Sequence, residues 1–394
     1  MKIALTCPAS LPATQFGGIM FLCIHIARKL SNQGHDVTIY STDLDFANNS
    51  NTFNKKLPRV EKFDNFFVKR THVWFAKFLF FVNPKMYFQM MNDSVDIVHA
   101  VGIRSFQALI ATLVSKRKNI PLIISDQGGL TTHPDLKQAS ILKKILIKFQ
   151  EPMIKFIIKN SKAIIVPNEY EKKNFSNYCN EEKIYVVRNG IDIDELKISN
   201  FNFRNYYKIN SNFLLFLGRF HYVKGIDILL EAYCKVKNNP LLKNIVLVIM
   251  GVDFGYEEEM DAMIKKLNIT DRVIVIKNPS RDHVLAAYNE SEFLILPSRW
   301  ELSPLTPLEG FAFRKTVIST RAHGIPYTLE NNGNSILVEN ENPIELGDAI
   351  IELMSNEAKR ERLAESGYIF VKNIANSDKM VEGIYQVYNK VLKE

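Results

Sequence analysis

Short, continuous runs of apolar residues recur along the chain, and longer segments with a helical pattern separate them. Such runs are typical of strands that are buried on both faces of a parallel sheet. In the first half they are KIALT (2–6), VTIYS (37–41), VDIVHA (95–100), PLIIS (121–125), AIIVP (163–167) and IYVV (184–187). In the second half they are FLLFLG (213–218), IVLVIMG (245–251), VIVI (273–276), FLILP (293–297), TVIS (316–319) and SILV (335–338).

The alternation of strands and amphipathic helices predicts an α/β fold with doubly wound parallel sheets. With 394 residues, the chain is too long for one core and suits two domains. We expect an N-terminal domain at 1–190 and a C-terminal domain at 211–376. Residues 191–210 interrupt the alternation and are predicted to be the interdomain linker. Residues 377–394 form one amphipathic pattern, and we expect this helix to pack back on the first domain.

The composition is that of a globular protein, with 46% hydrophobic and 23% charged residues. The formal charge of +8 favours anionic partners such as nucleotides or phospholipid head groups, whereas no nucleic-acid-binding motif is present. The four cysteines lack ligand-like spacing, so we expect neither a disulfide scaffold nor a zinc site. The apolar run at the N-terminus is too short for a signal peptide, and no run approaches the ~20 residues that span a bilayer. These features favour a cytoplasmic location.

Several predicted strands end in loops that suit an anionic ligand, because ligands bind outside the carboxyl ends of strands in open α/β sheets. Gly17 and Gly18 follow the first strand and precede a helix, whose free amides attract anions. A purely structural turn is the alternative for this pair. Gly251, at the end of another strand, also permits close approach of a ligand.

The loop GRFHYVKG (218–225) follows the first strand of the second half and carries Arg219 and Lys224. Arginine binds phosphate oxygens in a bidentate manner, and lysine adds a compact charge. The alternative interpretation is a pair of solvated cations.

The stretch PSRWELSPLTPLEGF (297–311) places two glutamates around a proline-rich loop. Glu301 lies in the loop, and we expect Glu309 in the first turn of the helix that follows. Carboxylates accept hydrogen bonds from sugar hydroxyls, and loop amides bind phosphate. Two glutamates at this spacing are common by chance among 42 acidic residues, but their position after a strand favours a ligand site.

Together these segments resemble the retaining glycosyltransferases of the GT-B fold, of the glycosyltransferase family 4 type (glycosyl transferases group 1). The resemblance covers nearly the whole chain and implies two Rossmann-like domains that face each other across a cleft. It implies that the domain at 1–190 binds the acceptor and that the domain at 211–376 binds the nucleotide sugar. The segments that carry it are FGG (16–18), NQGHDVTIYS (32–41), DIVHAVG (96–102), VVRNGID (186–192), LGRFHYVKGIDILLEA (217–232) and LPSRWELSPLTPLEGFAFRKTVIST (296–320).

The resemblance also implies which residues bind the donor diphosphate. Arg219 and Lys224 would bind it and offset the charge of the departing nucleotide. The amides of Leu305 and Thr306 would support the phosphates, and Gly18 would border them from the other domain.

The remaining donor contacts follow from the same resemblance. Glu309 would accept hydrogen bonds from the ribose, and Glu301 would contact the donor sugar near the reacting carbon. Gly17 and Gly251 would border the donor cleft. The cationic loops would replace a metal, so no divalent cation or other cofactor is expected. Transfer would retain the anomeric configuration by a front-face route, with the leaving phosphate taking the acceptor proton.

Three positions depart from the family pattern, namely Pro304, Asp126 and Tyr327. Pro304 replaces a glycine after the first glutamate, and Tyr327 replaces a glutamate. Asp126 stands near the position of a family histidine, where it either orients the acceptor hydroxyl or the donor sugar or is a plain turn residue. His99 is interpreted as a core histidine rather than a catalytic one.

Two basic segments suggest contact with an anionic membrane. Residues 62–92 are rich in phenylalanine and lysine, and the apolar residues near Trp74 to Val82 would cover almost every face of a helix. Residues 141–162 have an apolar face at Leu142, Ile145, Phe149, Met153 and Phe156, with lysines opposite. Burial in the core is the alternative for both segments.

The sequence therefore predicts a retaining, metal-independent hexosyltransferase that uses a UDP- or GDP-sugar and a saccharide or lipid-linked acceptor. Polysaccharide or glycoconjugate biosynthesis at the inner face of the cell membrane is the expected setting. The alternatives are a non-catalytic nucleotide-sugar-binding regulatory subunit and a nucleotide-sugar epimerase of the same fold.

Overall fold

The computed structural model describes residues 1–46, 52–128, 130, 141–197 and 201–393, without the side chains of 141–147 and 149. The chain forms two compact units. The first comprises Met1–Gly190 and Ser377–Glu394, and the second comprises Ile191–Asn376. Each unit has its own parallel sheet and hydrophobic core.

The first unit is built on an eight-stranded sheet with the order β10-β9-β8-β7-β1-β2-β4-β3. Its strands are β1 (Lys2–Thr6), β2 (Asp36–Thr42), β3 (Val60–Phe63), β4 (Phe66–Thr71), β5 (Phe75–Lys77), β6 (Phe80–Val82), β7 (Ile97–Val101), β8 (Leu122–Ser125), β9 (Ala163–Val166) and β10 (Ile184–Val186), of which β5 and β6 form a separate hairpin. Its helices, up to the second unit, are α1 (Gly18–Asn32), α2 (Lys85–Asn92), α3 (Phe106–Lys118), α4 (Ile141–Asn160) and α5 (Glu169–Phe175). The sheet is parallel except for β3, which is antiparallel to β4. The strand order reverses between β1 and β7.

The second unit has a six-stranded parallel sheet with the order β13-β12-β11-β14-β15-β16. Its strands are β11 (Asn212–Leu217), β12 (Ile245–Gly251), β13 (Val273–Lys277), β14 (Leu294–Leu296), β15 (Val317–Thr320) and β16 (Ile336–Val338). Its helices are α6 (Phe203–Tyr207), α7 (Ile226–Val236), α8 (Glu257–Lys266), α9 (Arg281–Glu290), α10 (Leu305–Ala312), α11 (Pro343–Ser355) and α12 (Glu357–Asn373). This is the strand order of the doubly wound nucleotide-binding fold, with the reversal between β11 and β14.

The predicted α/β fold with parallel sheets is confirmed, and each apolar run named above overlaps one of these strands. The strands form where the runs are because both faces of each sheet are covered. The last four residues of β1 and all five residues of β7, for example, are buried.

The stretch 191–210 is not a free connector. It belongs to the second unit, where Ile191, Phe203 and Ile209 are buried in the core. Burial of these side chains stabilises α6 against the sheet. The change of pattern that suggested a linker therefore marks the start of the second unit.

The chain ends in helix α13 (Ser377–Lys393), which belongs to the first unit. Met380, Val381 and Ile384 are buried on its apolar face. Lys29 of α1 forms an ion pair with Asp378 at 3.0 Å. The helix therefore completes the core of the N-terminal unit.

Residues 62–92 do not form the helix that their apolar residues suggested. They form the end of β3, strand β4, the β5–β6 hairpin and helix α2. Phe78 and Leu79 turn the hairpin with φ angles of 51° and 60°, and aromatic residues favour strands. Trp74, Phe75 and Phe78 are more than half exposed. None of the helices in the described part of the chain combines the length and the apolar character needed to cross a membrane.

The second basic segment is helix α4 and the two residues after it. In its C-terminal half Ile154, Ile157 and Ile158 are buried in the core of the first unit, with Met153 packed against that core. This favours the core interpretation for that half. The side chains of Leu142, Ile145 and Phe149 lie outside the described residues.

Candidate active site

Two loops of the second unit meet where the strand order reverses. The loop after β11 carries Lys224, and the loop after β14 carries Glu301. Since β11 and β14 are paired neighbours, both loops leave the same edge of the sheet. The Lys224 ammonium forms an ion pair with the Glu301 carboxylate, and the two side chains are 17% and 19% exposed. The structure thus joins two residues that the sequence placed in separate motifs.

This ion pair lines a small pocket together with Ser298, Pro304 and Thr306. Pro304 is the residue before α10, so the amide that it lacks lies outside the helix. Thr306 is the second residue of α10, and amides in a first helical turn have no acceptor within the helix. A cation, a carboxylate and the positive end of a helix therefore meet here, which suits a ligand with both phosphate and hydroxyl groups.

Two glycines allow the strand ends to approach closely. Gly225 has φ 68°, and a Cβ there would lie 2.0 Å from the carbonyl oxygen of Pro297. A Cβ at Gly251 would lie 1.8 Å from the carbonyl oxygen of Gly218. Gly251 is therefore explained by packing of β12 against the end of β11, and this contact needs no ligand.

Arg299, which sequence reasoning missed, joins the two loops. Its guanidinium donates to both carboxylate oxygens of Asp227 at 2.7 and 2.6 Å and to Glu341 at 2.8 Å. It also donates to the carbonyl oxygen of Tyr222 and lies 3.9 Å from the centre of that ring. Because Tyr222 and Asp227 flank Lys224 and Gly225, Arg299 fixes the lysine loop relative to the glutamate loop.

Glu309 lies at the fifth position of α10, one turn beyond Leu305, rather than in the first turn. Arg281 grips both of its oxygens, at 2.7 and 3.2 Å, and the Tyr288 hydroxyl donates at 2.9 Å. Burial, and then the charge of Glu309, raises the pKa of Tyr288, so this hydroxyl remains a donor. Arg281 and Tyr288 had no sequence signal, because their partner is about 20 to 30 residues away. They hold the carboxylate in one orientation.

Arg219 is placed differently from Lys224. Its guanidinium lies 4.9 Å from the centre of the Phe254 ring, in the loop after β12. The backbone of Phe220 exchanges hydrogen bonds with Val252 and Phe254 in that loop. Arg219 is not among the described residues that line the pocket of Lys224 and Glu301. Of the predicted pair of cations, the described pocket therefore includes Lys224 only.

In the first unit, Gly17 and Gly18 follow β1, beside the reversal between β1 and β7. Gly17 has φ 94°, and a Cβ there would meet no described atom within 4 Å. Glycine is therefore favoured at position 17 by the positive φ angle and not by a lack of space. Gly18 is the first residue of the 15-residue helix α1. The first amides of a helix have no acceptor within it, so the start of α1 suits an anion.

Asp126 is buried at the carboxyl end of β8, beside a second buried carboxyl group on Glu171 of α5. Asn174 donates to Oε1 of Glu171 at 3.2 Å, whereas Oε2 meets no N–H or O–H donor among the described residues. Burial, followed by the charge of Asp126, raises the pKa of Glu171 to about 8. The raised pKa favours the protonated form of Glu171 at neutral pH. Asp126 therefore has a buried carboxyl neighbour that its local sequence did not indicate.

His99 is a core histidine, as we interpreted it. Its Nδ1 and Nε2 lie 2.6 Å from the hydroxyl oxygens of Tyr388 and Ser125, respectively. Burial lowers the pKa of His99 to about 3, so the ring is neutral. Both ring nitrogens are occupied within the first unit, and one partner comes from α13.

Two family descriptions match the chain. Residues 16–195 match Glycosyltransferase Family 4, and residues 200–370 match Glycosyl transferases group 1. The chain belongs to these glycosyltransferases. The two matches fall almost entirely on the first and second unit, respectively.

Similar proteins support the same assignment. An uncharacterized glycosyltransferase of Methanocaldococcus jannaschii is 28% identical over 76% of this chain and 77% of its own. The sucrose-phosphate synthase structure from Thermosynechococcus elongatus has a TM-score of 0.78 at 16% identity and covers 100% of this chain and 99% of that one. The Anabaena Alr3699/HepE structure in complex with UDP and glucose has a TM-score of 0.75 at 17% identity, with 99% of both chains covered. The glycosyltransferase therefore has the GT-B fold.

Within this glycosyltransferase, the structure groups the predicted residues unevenly. Lys224, Glu301 and Thr306 line one pocket, with Leu305 next to Thr306 at the start of α10. Glu309 follows on the same helix and is held by other partners.

Proposed function

We propose that this glycosyltransferase moves a hexose-type sugar from a UDP- or GDP-sugar to a saccharide or lipid-linked acceptor in polysaccharide or glycoconjugate biosynthesis. The observation that carries the proposal is the pairing of Lys224 with Glu301 in one pocket at the reversal of strand order. A donor of this class has a diphosphate for the cation and hydroxyl groups for the carboxylate. The likeness to a structure that contains UDP and glucose favours the uridine nucleotide.

Each donor-binding residue has a distinct task in this proposal. Lys224 exchanges its contact with Glu301 for a diphosphate oxygen, and Arg219 adds a second cation. The amides of Leu305 and Thr306 support the phosphates. Glu301, released from the lysine, accepts hydrogen bonds from the donor sugar.

The other contacts hold the nucleoside and the phosphates. Glu309 accepts the ribose hydroxyls in the orientation fixed by Arg281 and Tyr288. Gly17 and Gly18 let backbone amides approach the diphosphate. The lysine and arginine offset the charge that develops on the leaving phosphate, so transfer proceeds without a divalent cation.

Transfer retains the anomeric configuration in this proposal. The bond from the anomeric carbon to the leaving phosphate breaks first, and the acceptor oxygen forms its bond on the same face. The acceptor proton passes to the leaving phosphate. Asp126, kept ionised by the proton that Glu171 carries, orients the acceptor hydroxyl or the donor sugar.

Donor screening tests the proposal most directly. A panel of UDP- and GDP-sugars is scanned by thermal shift, and a donor at 100 times its dissociation constant stabilises the protein by about 2.7 kcal/mol. Sugar transfer is then measured with that donor, with and without a chelator. Lys224→Ala and Glu301→Ala should each lower transfer by about 100-fold or more.

Lys243→Ala is the matched control, because this exposed lysine lies in the same unit just before the amino end of β12. Full transfer by both site variants would overturn the assignment of the pocket. Donor binding without turnover by any acceptor extract would indicate a regulatory subunit instead.

We propose further that the enzyme works at the inner face of the membrane. The β5–β6 hairpin and the residue before it supply exposed aromatic side chains at Trp74, Phe75 and Phe78, with Lys77 between them. Aromatic side chains enter the lipid interface, and each lysine contributes about 1 kcal/mol near an anionic leaflet. Co-sedimentation at low salt should favour anionic over neutral vesicles, and Phe78→Ser should weaken it. The control is Tyr206→Ser, an exposed aromatic residue of the second unit; equal pelleting with both vesicle types would reject surface docking.

A further inference from the structure

A carboxylate and an imidazole stand together at another part of the first sheet's carboxyl edge. Asp43 follows β2 and His72 follows β4, and these strands pair in parallel with Thr42 opposite Thr71. Asp43 and His72 are therefore neighbours across the ladder. The His72 Nδ1 lies 2.8 Å from an Asp43 oxygen.

The aspartate is fixed from several sides. Its side chain is fully buried and accepts hydrogen bonds from Arg59 Nη1 at 3.1 Å and from the Val73 amide at 3.3 Å. A carboxylate surrounded by donors cannot itself donate, so the proton between Asp43 and His72 belongs to Nδ1. Asp43 thus sets both the ring orientation and the tautomer of His72.

The other ring nitrogen of His72, Nε2, does not contact Asp43. The His72 side chain is 30% exposed, and its Nε2 has no hydrogen-bond partner among the described residues. With the proton on Nδ1, Nε2 is an acceptor on a partly exposed ring that Asp43 holds in place. The carboxylate of Asp43 offsets the charge of Arg59, so the cluster does not hold the excess positive charge that binds an anion.

We propose that His72, oriented by Asp43, binds a hydroxyl group of the acceptor saccharide through Nε2. The proposal rests on the function proposed above. Carboxyl ends of parallel strands are where α/β proteins bind ligands. A hydroxyl group is a ligand that can donate a hydrogen bond to this acceptor atom.

Two isosteric variants separate this role from a structural one. In His72→Asn the side-chain amide takes the place of Nδ1 and still donates to Asp43, but the outward nitrogen is lost. In His72→Gln the terminal amide reaches the place of Nε2, and the bond to Asp43 is lost. Binding of the intact chain to an immobilised array of mono- and oligosaccharides is measured without any donor, for the wild type, both variants and His72→Ala.

We expect His72→Asn and His72→Ala to weaken saccharide binding by about tenfold, the share of one good hydrogen bond, and His72→Gln to retain most of it. The matched control is His35→Asn, since His35 immediately precedes β2 at its amino end. It should bind the array like the wild type.

Three outcomes would overturn the proposal: no saccharide bound by the wild type, equal binding by all variants, or binding restored by asparagine but not by glutamine. Thermal shift with UDP-glucose and the rest of the nucleotide-sugar panel is run on the same proteins. If no nucleotide sugar raises the melting temperature of the wild type, the proposed function is refuted. If a nucleotide sugar raises it but the His72 variants bind the array like the wild type, only the role of His72 is refuted.

Discussion

The carboxyl edges of the two sheets are built from different electrostatic parts. In the second unit, charges on neighbouring loops pair with each other, as in Lys224 with Glu301 and Arg299 with Asp227. Paired charges can be exchanged for those of a ligand, so this edge suits a donor that carries both phosphate and hydroxyl groups. The pocket is already formed in this structure, and a ligand can replace the contact between Lys224 and Glu301.

The first unit instead buries its carboxyl groups at this edge. Asp43 is fully buried under His72, and Asp126 is buried beside a protonated Glu171. These groups hold their neighbours in fixed orientations and leave little uncompensated charge. This difference is the basis of our proposals that the charged edge of the second unit binds the donor and that the edge of the first unit binds acceptor hydroxyl groups.

The largest effect should come from Arg299→Ala, which removes the ion pairs of Arg299 with Asp227 and Glu341 at the charged edge of the second unit. Arg299 is 9% exposed, and loss of one partner from a largely buried pair costs about 3 kcal/mol of unfolding free energy. Urea unfolding followed by tryptophan fluorescence measures this. The chain has two tryptophans, so Trp74→Phe leaves Trp300 as the reporter of the second unit.

Arg321→Ala provides the comparison, because Arg321 pairs with Glu339 and Glu345 at an exposed site. Its cost should stay below about 1 kcal/mol. Equal costs for the two arginine variants would remove Arg299 as the brace between the loops.

Glu171→Gln should have the next largest effect, and this effect should depend on pH. The folded-state pKa of Glu171 is about 8, above its usual 4.5, so the folded protein keeps a proton that the unfolded chain releases between these values. The wild type therefore loses stability as pH rises from about 4.5 to 8. Glutamine does not ionise in this range. The melting temperature of the variant minus that of the wild type should therefore increase as pH rises from about 4.5 to 8.

Calorimetry at pH 5, 6, 7 and 8 measures that trend. Glu169→Gln removes an exposed carboxylate from the same helix and controls for the loss of one charge. A constant difference between Glu171→Gln and the wild type at all four pH values would show that Glu171 is ionised throughout.

Tyr288→Phe should have the smallest effect. It removes one hydrogen bond to Glu309 and leaves the two from Arg281, so donor binding should weaken by about fivefold. Tyr233→Phe is the control, because Tyr233 is equally buried but donates to the carbonyl oxygen of Ile245. Titration with the donor identified by thermal shift distinguishes the two; equal affinities would mean that Tyr288 does not orient Glu309 for the ribose.

The loops of the charged edge could be predicted because each lies between a strand and a helix that the hydrophobic pattern indicates. Lys224 and Glu301 lie within two strand-loop-helix segments, and apolar runs, prolines and glycines are enough to predict both segments. Arg299 and Arg281 were missed because exposed arginines have the same local sequence pattern as braced ones. Their significance depends on partners that are distant along the chain.

The pairing of Asp43 with His72 at the edge of the first sheet could not be predicted from the sequence, for the same reason. His72 and Asp43 become neighbours only through the register of β2 against β4, and the sequence did not indicate β4 at all. Its residues lie in a segment whose dense aromatic residues fit a buried helix as well as a strand. The turn at Phe78 and Leu79, which resolves that ambiguity, contains neither glycine nor asparagine.

The sequence by itself determined the alternation of strands and helices, the two-domain organisation and the loops that follow the strands, because hydrophobic periodicity and turn residues act over a few positions. Only the tertiary structure decided which polar groups are buried, which charges are paired and which histidine faces outward. Those properties depend on dielectric environment and on distances between residues far apart in the chain, and strand order and register set both.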